Sequence, residues 1–381
     1  MKRSTERFLT THTGSLPRPD DLVQMMFTKE DGGPVDESAL ETRIQSAVGE
    51  IVKCQIDAGI DVVSDGEAGK PSYATYIKDR LNGFGGESVP VTSYQDVLDF
   101  PRLAEKVFAD PGRARRKTPG CNGAISVRTP NAPLGDANNF KMALATTPST
   151  DAFMSAASPG VISLFFGDSY YKDHEAYLFA IADAMQDEYE AIANAGFVVQ
   201  VDCPDLAMGR HIQFADLSLA EFLKKAQLHI EALNHALANV PADQSRIHLC
   251  WGNYEGPHHY DVAISDILDV VFTAKPNGLS FEAANPRHAH EWKVFKDIKL
   301  PEGKLLIPGV IETKTNYIEH PELVAERIGK YADLVGRENV MGGCDCGFGT
   351  WVGQAAVDPG VVWAKLRSLA EGARIASERF W

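Results

Sequence analysis

From residue 173 onward two patterns alternate along the chain. Stretches with apolar positions at helical spacing are each followed, after a short polar loop, by a brief run of Val, Ile and Leu. The helix-like stretches are 173–195, 218–239, 261–273, 287–295, 321–335 and 360–377, and the strand-like runs that follow the first five are 197–202, 247–251, 278–282, 305–310 and 339–343. Five successive helix-to-strand steps predict a parallel sheet, because parallel neighbours need a helical crossover.

The front half supplies three more strands. Residues 8–12 form a short run before TGSLPRP, the helix-like stretch 41–58 leads to a run at 61–65, and 141–146 is the third. Eight strands with helical crossovers predict a single (β/α)8 TIM barrel spanning residues 1–381. Residues 83–139 break the alternation. They hold several prolines, the basic run RARRK at 113–117 and a candidate strand pair at 89–92 and 124–127, and are read as an insertion after strand two. No repeat or low-complexity segment appears.

Composition narrows the function. A net charge of −15 argues against sequence-independent binding to nucleic acid, and 44% hydrophobic residues supply an ample core. The absence of a long apolar run, and a start (MKRSTERFLTTHTGSLPRP) without the apolar centre of a signal peptide, predict a cytoplasmic protein that does not enter a membrane. Six cysteines are too few for a disulfide scaffold in a chain of this length.

In a barrel of this kind the chemistry sits just past the carboxyl ends of the strands. Those positions carry Ser15, Glu67, Asp202, His248 with Cys250, Glu282, Lys314 and Cys346. His248 and Cys250 are two apart on one strand and point to one face, while Glu282 and Cys346 close neighbouring strands. Imidazole, thiolate and carboxylate donors around one mouth suit Zn2+. The competing reading is a buried thiol acting as a small hydrophobe beside a hydrogen-bonded strand histidine. Cys344 lies two residues before Cys346, and spacing does not choose between them.

These residues resemble a known family. TTHTGSLPRP (10–19), DGE (65–67), VQVDCP (199–204), HLC (248–250), SFE (280–282), PGV (308–310) and DCG (345–347) are similar, in colinear order, to the catalytic half of cobalamin-independent methionine synthase. The resemblance implies a zinc that activates a thiol substrate, with His248, Cys250, Glu282 and Cys346 as ligands. It also implies that Ser15, Glu67 and Asp202 hold the amino acid part of homocysteine, and that Glu282 rearranges when the substrate sulfur arrives. Two features depart from the pattern. Full-length family members carry a second, amino-terminal barrel, and where they have a histidine after the seventh strand IETKTN places Lys314, a candidate proton donor for the leaving group.

The expected activity is therefore zinc-dependent transfer of a methyl or alkyl group to a small-molecule thiol, from a methylated folate or from a methyl-cobalamin (corrinoid) protein as a candidate partner. An oligomer is compatible with the pattern. The alternative within the same chemistry is epoxide opening by a zinc-bound thiol such as coenzyme M. A metal-free decarboxylase of the uroporphyrinogen type and a non-catalytic zinc barrel are the readings from other classes. Among single basic residues, Arg18, Lys70 and Arg210 are candidates for an anionic group. His258 and His259 are placed in a polar loop.

Overall fold

The computed structural model describes residues 1–88, 94–110, 113, 115–354 and 356–381. Its strands are β1 (Val62–Val63), β2 (Leu81–Ser88), β3 (Pro119–Val127), β4 (Asp151–Ala157), β5 (Val198–Asp202), β6 (Ser245–Leu249), β7 (Gly278–Phe281), β8 (Leu305–Ile311) and β9 (Gly343–Cys344). Seven of them form one parallel sheet in the order β1-β4-β5-β6-β7-β8-β9. Residues 10–11 close the ring, Thr10 bridging in parallel to Gly342 beside β9 and Thr11 to Val62 of β1. The expected eight-stranded barrel is present, with three of its staves only about two residues long.

Strands β4 to β8 are buried along almost their whole length, as parallel strands covered by helices must be. Leu9, Val62, Phe153, Val198, Leu305, Ile307 and Met341 form a separate apolar cluster. Above it lies the fully buried Arg246, stacked 3.7 Å from the Phe153 ring and donating to Gln200 Oε1 (2.8 Å), Thr11 Oγ1 (3.1 Å) and the carbonyl of His12 (3.0 Å). Such a side chain is tolerable only because its donors are satisfied. Among the described residues no helix is long and apolar enough to cross a membrane.

One strand is corrected. Residues 141–146 belong to the helix Ala132–Thr146, and the barrel strand lies further on at β4. The buried positions Pro133, Ala137, Phe140 and Ala143 fall three to four apart, which is helical spacing, with proline in the first turn where its missing N–H costs nothing. The true strand, DAFMSAA, is short on β-branched residues and reads weakly as a strand, yet six of its seven positions are buried.

The departure from the barrel alternation begins at β2 and returns along β3. Residues 124–127 do pair, but Val127 faces Leu81 and Ser126 faces Asn82 in an antiparallel hairpin, while the expected partner 89–92 lies outside the described residues. Two short helices, Gln95–Leu98 and Pro101–Phe108, lie between the hairpin strands. Asp96, fully buried, pins this insertion to the barrel: it accepts from the Tyr254 hydroxyl (2.6 Å) and the His258 amide (2.9 Å), and His211 lies 3.8 Å away. Each buried group left without a partner costs about 1–3 kcal/mol. Asp96→Ala is expected to lower the unfolding free energy by about 2–4 kcal/mol on that basis. Urea unfolding checks it, and a variant as stable as the parent would show that Asp96 does not anchor the insertion.

Candidate metal and substrate site

His248 sits on β6 and Cys250 just beyond it, so the two-residue period of the strand aims both side chains at the mouth. Cys346 follows β9 by two residues and reaches the same point from across the ring. Ligand atoms of His248, Cys250 and Cys346 all lie within 4.8 Å of one another, and the two sulfurs are 3.2 Å apart. Cys344, buried within β9, is not part of this group. His248 Nδ1 is paired with Ser280 Oγ at 3.2 Å, which leaves Nε2 for a ligand. Burial favours the neutral forms, lowering His248 to about 3 and raising the Cys346 thiol well above its ordinary range. One nitrogen and two sulfurs are a donor set that zinc accepts, and binding would release the thiol protons.

Glu282 is next to this group but is held by protein donors. Its Oε1 accepts from the Trp251 amide (2.9 Å) and lies 3.6 Å from Cys250 Sγ. Its Oε2 accepts from Asn285 Nδ2 (3.1 Å) and Lys314 Nζ (3.0 Å). Burial raises the Glu282 carboxyl and Lys314 lowers it, the net being a depressed value of about 2. For Lys314 burial works downward, but Glu282, then Cys346, Asp345 and Glu312, outweigh it and push the ammonium well up. Those neighbours favour a retained proton. Asp345 organises the adjoining turn: Oδ1 accepts from the amides of Ala283 and Ala284 (both 2.8 Å) and Oδ2 from that of Asn285 (2.6 Å). Its approach depends on Gly309, where a Cβ would lie 2.2 Å from Asp345 Oδ1.

Ser15, Glu67, Asp202, His248, Cys250 and Cys346 line one cavity. Glu67 has a left-handed backbone, φ 55°, which is rare outside glycine and recurs at functional sites. Its Oε2 is buried without a hydrogen-bond partner among the described residues. Burial raises Glu67 to about 7 against the pull of Lys70 and Arg18, and burial followed by the charge of Glu67 raises Asp202 well above the carboxylate range. Gly14 makes room for this pair, since a Cβ there would lie 2.6 Å from Glu67 Oε1 and 2.3 Å from Ser155 Oγ.

The single basic candidates are engaged elsewhere. Arg18 donates to the carbonyls of Gly349, Glu67 and Lys70, Lys70 to that of Ser155, and Arg210 to those of Phe214 and Ala215. His258 bonds Asp261 at 2.8 Å and His259 bonds Asp99 at 2.9 Å, both in the loop after Cys250 and outside the cavity lining. Sequence reasoning missed the cavity's other walls: Tyr73, Tyr94, Phe165 and Trp351, with Arg113 and Arg116 from the basic run of the insertion. The charge run was the available signal, but only the fold turns Arg113 and Arg116 inward, while Arg115 and Lys117 contact Phe27 and Glu30 instead.

The chain is 24% identical over 379 residues to a protein named methionine synthase from Saccharolobus islandicus (strain L.S.2.15 / Lassen #1), covering 97% of this chain and 95% of that one. It is 27% identical over 341 residues to another so named from Sulfolobus acidocaldarius, covering 89% and 85%. Among solved structures, the B12-independent methionine synthase of Shewanella sp. W3-18-1, in complex with selenomethionine, shares the fold at a TM-score of 0.74 and 19% identity, with 98% of each chain covered. Residues 165–362, just over half of the sequence and holding His248, Cys250, Glu282 and Cys346, match the model of the cobalamin-independent synthase catalytic domain, and the chain belongs to that family.

Proposed function

We propose that this protein transfers a methyl group to the thiol of homocysteine, using zinc held by His248, Cys250 and Cys346. The observation that carries the reading is one cavity in which a nitrogen and two sulfurs converge beside a buried carboxylate oxygen of Glu67 that has no partner among the described residues. A zinc ion there supplies positive charge that favours the deprotonated form of an incoming thiol and keeps its sulfur nucleophilic. The carboxylates of Glu67 and Asp202 take the substrate ammonium, and Ser15 borders the same end. In the transfer, the sulfur forms a bond to the methyl carbon as the bond from that carbon to the donor's nitrogen breaks, and the departing nitrogen gains a proton. Lys314 serves as counter-ion to Glu282, holding that carboxylate beside Cys250.

The names of the relatives support homocysteine as acceptor, as does selenomethionine in the Shewanella enzyme, a close analogue of the methionine product. The corrinoid-protein alternative finds no support, since the matching family is cobalamin-independent, and a methylated folate is the donor of choice. A metal-free decarboxylase gives no reason for His248, Cys250 and Cys346 to converge. Epoxide opening by an anionic thiol such as coenzyme M stays as a second reading on one observation, the two arginines lining the cavity.

The direct test is methionine formation from L-homocysteine and 5-methyltetrahydrofolate by the zinc-loaded protein, followed by mass spectrometry. No product with either this donor or an epoxide and coenzyme M would sink thiol alkylation. Cys346→Ser is expected to reduce bound zinc from about one per chain to a small fraction and to abolish turnover, while Cys344→Ser keeps both. Equal zinc contents in the two variants would remove Cys346 from the ligand set. The carboxylate pair predicts a pH signature. Because Glu67 holds its proton up to about pH 7, the pair must ionise before it can take an ammonium. Affinity for L-homocysteine relative to 2-mercaptoethanol, which has no ammonium, is expected to fall as the pH drops below that value. A ratio of dissociation constants that stays level from about pH 5.5 to 8.5 would remove the pair from ammonium binding.

A further inference from the structure

The insertion roofs the cavity and contributes two cations to it. Arg113, with 9% of its surface exposed, is clamped between aromatic rings, its guanidinium carbon 4.8 Å from the Trp351 ring centroid and 5.3 Å from that of Tyr94. Its Nε and Nη1 are buried with no hydrogen-bond partner among the described residues. Arg116 lies 4.7 Å over the Phe165 ring. Neither guanidinium makes an ion pair with a carboxylate of the described residues. Asp110, three residues before Arg113, spends Oδ1 on the Trp351 indole (2.8 Å) and the Arg113 amide (2.9 Å).

A buried guanidinium at Arg113 and a half-buried one of like charge at Arg116, with no ion pair to either among the described residues, are costly, and the cost is offset when an anion completes them. Burial above all, with a smaller contribution from the charge of Arg113, lowers the Arg116 guanidinium from its ordinary value, against an upward pull from Tyr94, Tyr73 and Asp110. The aromatic clamps hold the planar forks in place, so little side-chain freedom is lost when an anion arrives. The same cavity has carboxylates at Glu67 and Asp202, giving it an anionic and a cationic lining. We infer that Arg113 and Arg116 form a binding site for an acidic group, a carboxylate or sulfonate, carried by one of the two substrates of the reaction. The inference rests on the reading of the cavity as a thiol-alkylation site. The acid can come from the thiol, as in homocysteine or a thiol sulfonate, or from the glutamate of a folate donor; the recognition chemistry is the same.

Calorimetric titration of the zinc-loaded protein separates these sources. The probes are L-homocysteine, coenzyme M, 5-methyltetrahydrofolate and the neutral 2-mercaptoethanol, each against the parent, R113Q/R116Q and R113K/R116K. The glutamine variant is expected to lose tenfold or more in affinity for at least one acidic probe, with 2-mercaptoethanol changed less than twofold and part of the loss restored by lysine. Loss confined to homocysteine and coenzyme M assigns the acid to the thiol; loss confined to the folate assigns it to the donor. If no acidic probe binds the parent, or all bind the glutamine variant within twofold of the parent, the site is overturned. Acidic probes that bind through the arginines while 2-mercaptoethanol fails to bind even the parent would leave the anion site standing and sink the thiol reading instead. Should R113Q/R116Q fail to fold, R116Q alone, which leaves the Trp351 clamp in place, carries the same comparison.

Discussion

Closure of the barrel is the constraint on which the site depends. Cys250 and Cys346 are 96 residues apart, and in the sheet β7 and β8 stand between their strands, so their sulfurs meet at 3.2 Å only because the sheet curls into a ring. The seam is its weakest part, since 10–11, β1 and β9 are too short for a long ladder of backbone bonds. Side chains stitch it instead. Asp61 accepts from the amide (2.9 Å) and hydroxyl (3.1 Å) of Thr10, Thr11 donates to the carbonyl of Val62 (3.0 Å), and Thr13 to that of Cys344 (3.1 Å). The polar opening TTHT thus does structural work at the point where the ring shuts, and the Thr13 contact reaches to within two residues of Cys346.

The second organising feature is how buried charge is distributed. Arg246, Arg18 and Lys70 direct their hydrogen bonds to carbonyls, hydroxyls and amide oxygens and not to the carboxylate of Glu67. Glu282 receives the opposite treatment, with a cation and two neutral donors bonded to it. Two carboxylates at the same mouth therefore end in different states, one raised and short of a partner, the other depressed and fully paired. Environment assigns them different tasks, as the separation of carboxyl pKa values in a polar site generally does.

Much of this was legible in the sequence because barrel chemistry falls at strand ends. Ser15, Glu67, Asp202, His248, Cys250 and Cys346 could be named from position alone, and the cavity gathers them. Glu282 and Lys314 were placed in the right region, but their mutual ion pair depends on side-chain reach across β7 and β8, which no spacing rule gives. Residues 141–146 misled because a short apolar run reads equally as buried helix or strand, and the true β4 hides behind alanine and serine. The insertion was visible only as an interruption. Which way Arg113 faces is decided by contacts with Trp351 and Tyr94, hundreds of residues and tens of residues away along the chain.

Those contacts tie the roof to the sulfurs. Trp351 follows Cys346 by five residues and bonds Asp110, while Tyr254 follows Cys250 by four and bonds Asp96, its ring packing 4.7 Å from that of Tyr94. Asn253 Nδ2 joins the two loops directly by donating to the carbonyl of Gly347 at 2.7 Å. The insertion therefore rests on the same two segments that carry the thiols. The lining that the insertion gives the cavity and the spacing of Cys250 and Cys346 are thus positioned by the same two loops.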